Sequence, residues 1–101
     1  MEKIESGGET YYKITEIYNF ISTCTKNNNL IYSIEFFKIV DEKIVPYVDL
    51  LSIDSVMLFS ENNEPQKNLY LCNQFIKNCV KKSRLDKVAP DLYFTCVLEQ
   101  V

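Results

Sequence analysis

The stretch from Leu30 to Leu51, LIYSIEFFKIV-DEK-IVPYVDLL, leaves the fewest options for how this chain folds. In an extended strand Leu30, Tyr32, Ile34, Phe36 and Val40 share one face. Ile31, Phe37 and Ile39 take the other, with Ser33 and Glu35 between them. β-Branched and aromatic residues dominate, as a pleated packing surface favours. Wound as a helix, the same residues would be apolar all the way round, with no polar stripe for water. Asp41-Glu42-Lys43 supplies a charged turn, and Ile44, Val45, Tyr47 and Val48 resume the strand pattern. Pro46 has no N–H to give to a ladder, so this second strand is expected at a sheet edge or bulged there. A strand apolar on both faces needs cover on both, from helices on each side or from helices on one side and a partner chain on the other.

The remaining segments fit around that hairpin. Residues 1–9 read as a flexible N-terminus, with Gly7-Gly8 as a hinge or turn. Thr10 is placed to cap a helix over 10–25, whose stripe is Ile14, Ile17, Tyr18, Ile21 and Cys24, with a strand over 11–21 as the alternative because Thr, Tyr, Phe and Ile are mediocre helix formers. Asn27-Asn28-Asn29 ends it, because Asn tolerates left-handed backbone. Ile53 to Phe59 reads as a third strand. A second helix is expected over 64–83, with Pro65 in its first turn and Leu69, Cys72, Phe75, Ile76, Cys79 and Val80 as its apolar face. Lys67, Asn73, Lys77, Lys81 and Lys82 fall on the polar side. After Ala89-Pro90, Leu92 to Glu99 alternates as a final strand. The order α-β-β-β-α-β predicts an α+β fold: a two-layer sandwich, residues 10–101 forming one domain with two helices on an antiparallel or mixed four-stranded sheet. Ile34 and Phe75 are expected core positions, each worth about 3–5 kcal/mol on truncation to alanine.

The residue inventory excludes much chemistry. The chain has no histidine, which removes Ser-His-Asp and Cys-His machinery and the ordinary neutral-pH proton shuttle. Gly7 and Gly8 are the only glycines, so there is no phosphate-cradling loop. Cys24, Cys72, Cys79 and Cys96 lack the paired spacing of a zinc site. Cys72 and Cys79, two helical turns or roughly 10 Å apart, are beyond disulfide reach. All four read as reduced, buried thiols; Cys79, with Lys82 three residues on, or else Cys72 is the place for an activated thiol, yet both lie on an apolar face. Asp41-Glu42, and Asp49 with Asp54, read as solvated carboxylates rather than an acid–base pair. No catalytic residue, cofactor or metal site is expected. There is no apolar leader in MEKIESGGET and no apolar run long enough to span a bilayer. The expected home is the cytoplasm, of the protein's own cell or of a host.

What remains is surface. The net charge is −3, and it is uneven. Lys77, Lys81, Lys82, Arg84 and Lys87 form a basic pole, the candidate nucleic-acid contact. No aromatic or Asn/Gln side chains interleave with them to read bases. The acidic side chains, Glu2, Glu5, Glu9, Glu16, Glu35, Asp41, Glu42, Asp49, Asp54, Glu61 and Glu64, lie elsewhere. Tyr and Phe make up 13% of the chain and are favoured at the centres of interfaces. Tyr11, Tyr12, Tyr32, Phe37 and Tyr47, with Glu35, Asp41 and Glu42, are the candidate protein-binding residues. The functional expectation is a small acidic protein-binding module without catalysis: an adaptor, accessory subunit or stoichiometric inhibitor whose partner is another protein or a second copy. The alternatives are a phage or viral inhibitor whose acidic surface blocks a nucleic-acid-binding protein, and a weak nucleic-acid binder through 77–87.

Overall fold

The computed structural model describes residues 3–101; Met1 and Glu2, at the head of the stretch read as flexible, lie outside the described residues. Strand β3 (Asn29–Val40) organises the rest. At about 3.3 Å per residue it spans roughly 40 Å, close to the molecule's longest extent of 46 Å. It turns through Asp41-Glu42 into β4 (Lys43–Pro46), with Phe37 opposite Pro46 and Ile39 opposite Ile44. β4 ends the sheet, so Pro46 does sit on an edge strand, where its missing N–H costs no ladder bond. The edge then loops out over residues 48–50, opposite Phe36 of β3. Tyr47 N–H donates to the Phe36 carbonyl at 2.9 Å, and Phe36 N–H donates to the Leu51 carbonyl at 3.0 Å. The edge resumes as β5 (Ser52–Asp54).

The α+β character and the antiparallel pairing hold, but the expected four-stranded, two-helix arrangement does not. Among the described residues six strands form one sheet in the order β1-β2-β6-β3-β4, with β5 also on β3, and three α-helices accompany it. The element order begins with two strands, β1 (Lys3–Ser6) and β2 (Glu9–Lys13), paired as a hairpin. Its turn is Gly7-Gly8, at φ +58° and +82°, left-handed geometry that glycine adopts without a Cβ penalty. The helix expected over 10–25 therefore starts late: a 3-10 turn covers Ile14–Glu16, and α1 runs only from Ile17 to Lys26. Thr10, Tyr11 and Tyr12 are strand formers, and their tertiary pairing prevails over the helical stripe. Thr10 caps nothing.

The strand expected over 53–59 is also cut short. Asp54 Oδ1 accepts the Val56 N–H at 2.7 Å, closing a local turn that starts a 3-10 segment over Val56–Leu58. Helix α2 (Pro65–Ser83) matches its expected span. It stops at Arg84, whose φ of +54° breaks the spiral before a short α3 (Leu85–Val88). β6 (Tyr93–Gln100) then lies between β2 and β3.

Helices α1 and α2 bury one face of this sheet. Ile17, Ile21 and Cys24 of α1 and Ile76 and Val80 of α2 join Ile34, Phe36 and Phe94 in one apolar cluster. Ile34 is fully buried, as expected, whereas Phe75 only borders the cluster, half-buried. Truncation at Phe75 should therefore cost less than the 3–5 kcal/mol range of fully buried rings. Asn73 departs furthest from expectation: it is 2% exposed rather than on a solvated side.

The four cysteines are free thiols, Cys24 and Cys72 buried and Cys79 and Cys96 half-buried. Cys72 S–H points at the Ser55 carbonyl, 3.6 Å away. Burial pushes the Cys24 thiol up to about 11 from an ordinary 9.0, and burial raises Cys96 as well. The unfolded chain ionises near pH 9 while folded Cys24 keeps its proton, so the unfolded state binds fewer protons in between. Stability should thus be flat below pH 9 from these groups and fall between about pH 9 and 11. Urea titrations at pH 8 and pH 10.5 check this, and Cys24→Ala should lessen the difference.

A concave face lined by two hairpins

Strand alternation sends Glu35, Phe37 and Ile39 of β3 away from the helices, and the register carries Tyr93 and Thr95 of β6 with them. Tyr11 lies on the same outer side, with Ile4 opposite it in β1; Ile44 follows from its pairing with Ile39. β6 lies between β2 and β3, so those two strands run roughly 9.5 Å apart. Even so, the Tyr11 and Phe37 rings meet edge to face with centroids 5.1 Å apart. Residues of both edge strands, β1 and β4, border the same cleft, so the sheet curls toward its outer face.

The cleft measures about 840 Å³. Ile4, Tyr11, Phe37, Ile39 and Ile44 give it an apolar lining, and the charged residues along it are Glu5, Glu9, Glu42 and Lys43. Glu9 takes a long 3.5 Å hydrogen bond from the Thr95 hydroxyl. Glu5 forms an exposed ion pair with Lys3 at 3.9 Å. Asp41 and Glu42 both hold positive φ, +50° and +65°, which a two-residue hairpin turn requires and which favours Asn-Gly rather than two acids. Glu42→Gly should therefore stabilise the protein by about 0.5–1 kcal/mol in chemical denaturation.

The candidate protein-binding residues are divided by this geometry. Tyr11, Phe37 and Glu42 line the cleft. Glu35 is exposed on the same face, between Ser52 and Thr95 in register, and Asp41 is exposed beside Glu42 in the turn. Tyr12 goes the other way: its ring packs on Phe20 at 4.9 Å and on Phe94 at 5.7 Å. Tyr47 also packs against the main core. Tyr32 sits at the β-bulge of β3, stacks on Phe59 at 5.7 Å and donates its hydroxyl to Glu99. That bond to a carboxylate, above all, raises the Tyr32 hydroxyl to about 12. These three tyrosines serve packing rather than the cleft.

The residues of the basic pole lie on α2, α3 and the junction between them. Lys77 lines a separate groove of about 330 Å³ between α1 and α2, with Lys26, Tyr70 and Gln74. Lys81, Lys82, Arg84 and Lys87 are exposed around the α2–α3 junction, and the two lysines complement the carbonyl end of α2.

Ile4, Glu5, Glu9, Lys43 and Ile44 line the cleft too, Glu5 and Glu9 being expected only as part of the acidic surface. The signal for the first three was present in KIESGGETYYK, where Gly-Gly between two short alternating runs is a hairpin signature. The polar side chains among the lining residues are the carboxylates, one ammonium and the Ser6 and Tyr11 hydroxyls. Among the described residues no cluster of three or more His, Cys, Asp or Glu could hold a metal ion, and no helix is long and apolar enough to cross a membrane. No protein-family model, curated protein or solved structure matches the chain.

Proposed function

We propose that this chain is a non-catalytic protein-binding module, an adaptor, accessory subunit or stoichiometric inhibitor, that receives its partner on the concave outer face of the sheet. The observation that carries this reading is the cleft itself. Its apolar and aromatic lining has no helix of the chain packed over it, and its acidic border gives the orientation that apolar burial alone lacks. Such a surface stores binding energy without groups arranged for bond making.

The test is affinity capture from a lysate of the cell in which the chain is expressed, comparing the wild type with Ile39→Asp. Ile39 is 43% exposed, so the substitution should change stability by no more than about 0.5–1 kcal/mol. A partner held by the wild type should be lost with Ile39→Asp and kept with Lys81→Asp, which alters the far end of α2. Equal capture by Ile39→Asp and wild type would exclude the cleft as the docking surface.

A further inference from the structure

Resting on the reading of the outer face as a docking surface, we propose that its occupant is an extended cationic segment of another protein, one in which lysine or arginine alternates with apolar side chains. Charge complementarity sets the sign: Glu5, Glu9 and Glu42 are among the residues lining the cleft, where Lys43 is the one cation of the lining, and Lys3 pairs with Glu5 beside it. The carboxylates come from both hairpins, so a cationic segment crossing the cleft is met at both walls. Tyr11 and Phe37 add ring faces over which a guanidinium or ammonium is favoured. Long basic side chains can lay their methylene stems on Ile39 and Ile44 while their charges reach the border.

The extended form follows from the walls. β1 and β4 are the two ends of the sheet, so each has backbone groups with no strand beside them, and these can pair with a chain laid alongside. The two-residue period of such a chain would turn its apolar side chains to the floor and its cations outward. Other occupants fit less well. A second copy docked face to face by a two-fold axis would set the same carboxylates against each other. A nucleic acid would bring phosphates to the same carboxylates.

Fluorescence anisotropy with a labelled, end-capped octapeptide of alternating lysine and leucine tests the inference, alongside glutamate–leucine and lysine–serine versions. The lysine–leucine peptide should bind about tenfold more tightly than either control. Its binding should weaken several-fold between about 10 mM salt, where charges act over about 30 Å, and about 100 mM, where they act over about 10 Å. The variant Glu5→Gln/Glu9→Gln/Glu42→Gln should lose the preference and the salt dependence while its thermal unfolding stays near that of the wild type. Equal binding of the lysine–leucine and glutamate–leucine peptides, both weakened by Ile39→Asp, would overturn the cationic occupant while leaving the cleft as a docking surface. Binding of the lysine–leucine peptide undiminished by Ile39→Asp would place it elsewhere and overturn the inference together with the cleft reading. No binding of that peptide at low salt would overturn the inference alone. Self-association seen by light scattering, abolished by Ile39→Asp, would assign the cleft to a second copy instead.

Discussion

Phe94→Ala should remove about 3–5 kcal/mol of stability, enough to leave a domain of ordinary stability, about 5–15 kcal/mol, partly unfolded at the low end. Phe94 is completely buried and lies between two neighbours in register, Tyr12 on β2 and Phe36 on β3. Its ring meets Phe20 of α1 nearly perpendicular at 5.1 Å and Tyr12 at 5.7 Å. The substitution opens a cavity where the two layers meet and deletes two aromatic contacts worth about 0.5–1.5 kcal/mol each beyond area alone. β2 should suffer most, because its pairing with β6 consists of Tyr12–Phe94 and Lys13–Tyr93. Denaturant titration should show the loss. Hydrogen exchange should show the N-terminal hairpin freed before β3. A cost below about 1 kcal/mol would mean that the ring is not central to the core.

Asn73→Ala should cost about 2–4 kcal/mol although it deletes only a small polar side chain. The Asn73 amide oxygen accepts the Ile31 N–H at 2.8 Å. Its nitrogen donates to the Asn29 carbonyl at 3.0 Å and to the Thr25 hydroxyl at 2.9 Å. The Thr25 hydroxyl donates in turn to the Ile21 carbonyl at 3.0 Å. One buried side chain thus ties α2 to the start of β3 and to the last turn of α1, beside the bulge between Ile31 and Ser33 where the ladder with β6 is irregular. Alanine would strand buried backbone groups, and each such group costs about 1–3 kcal/mol. Asn73→Asp should be worse at neutral pH, because it keeps an acceptor but buries a charge and loses both donors. Its deficit should shrink as the pH falls and the buried carboxyl takes up a proton. Urea titrations of both variants at pH 7 and pH 5 check this, and an Asn73→Ala protein as stable as wild type would show that the clamp is dispensable.

The β3–β4 hairpin and α2 were legible because each carries its period over many residues, and Pro46 marked an edge strand by its chemistry alone. The helix expected over 10–25 starts too early because Ile14, Ile17, Ile21 and Cys24 do form a helical stripe, while the four residues before it belong to a strand whose partner, β6, lies about eighty positions away. Asn73 was assigned to the solvated side on polarity, and only the irregular start of β3, invisible in sequence, explains its burial. The aromatic candidates divided by parity. Tyr11 and Tyr12 are neighbours, and a strand sends one to the cleft and the other to the core. Glu5 and Glu9 are legible only as part of a general acidic surface, and Ile4 not at all, because a glycine pair that can be hinge or turn does not by itself say that it folds them over the sheet.

The most direct measurement is site-specific photo-crosslinking inside the cell that makes the protein, with benzoylphenylalanine placed at Ile39 in the cleft or at Lys81 on α2. The Ile39 probe should join the chain to one discrete partner, and peptide mapping should find the attachment in a segment rich in lysine or arginine; the Lys81 probe should give no such product. The same discrete adduct from Lys81 and none from Ile39 would contradict the claim that this molecule works through the hollow side of its sheet.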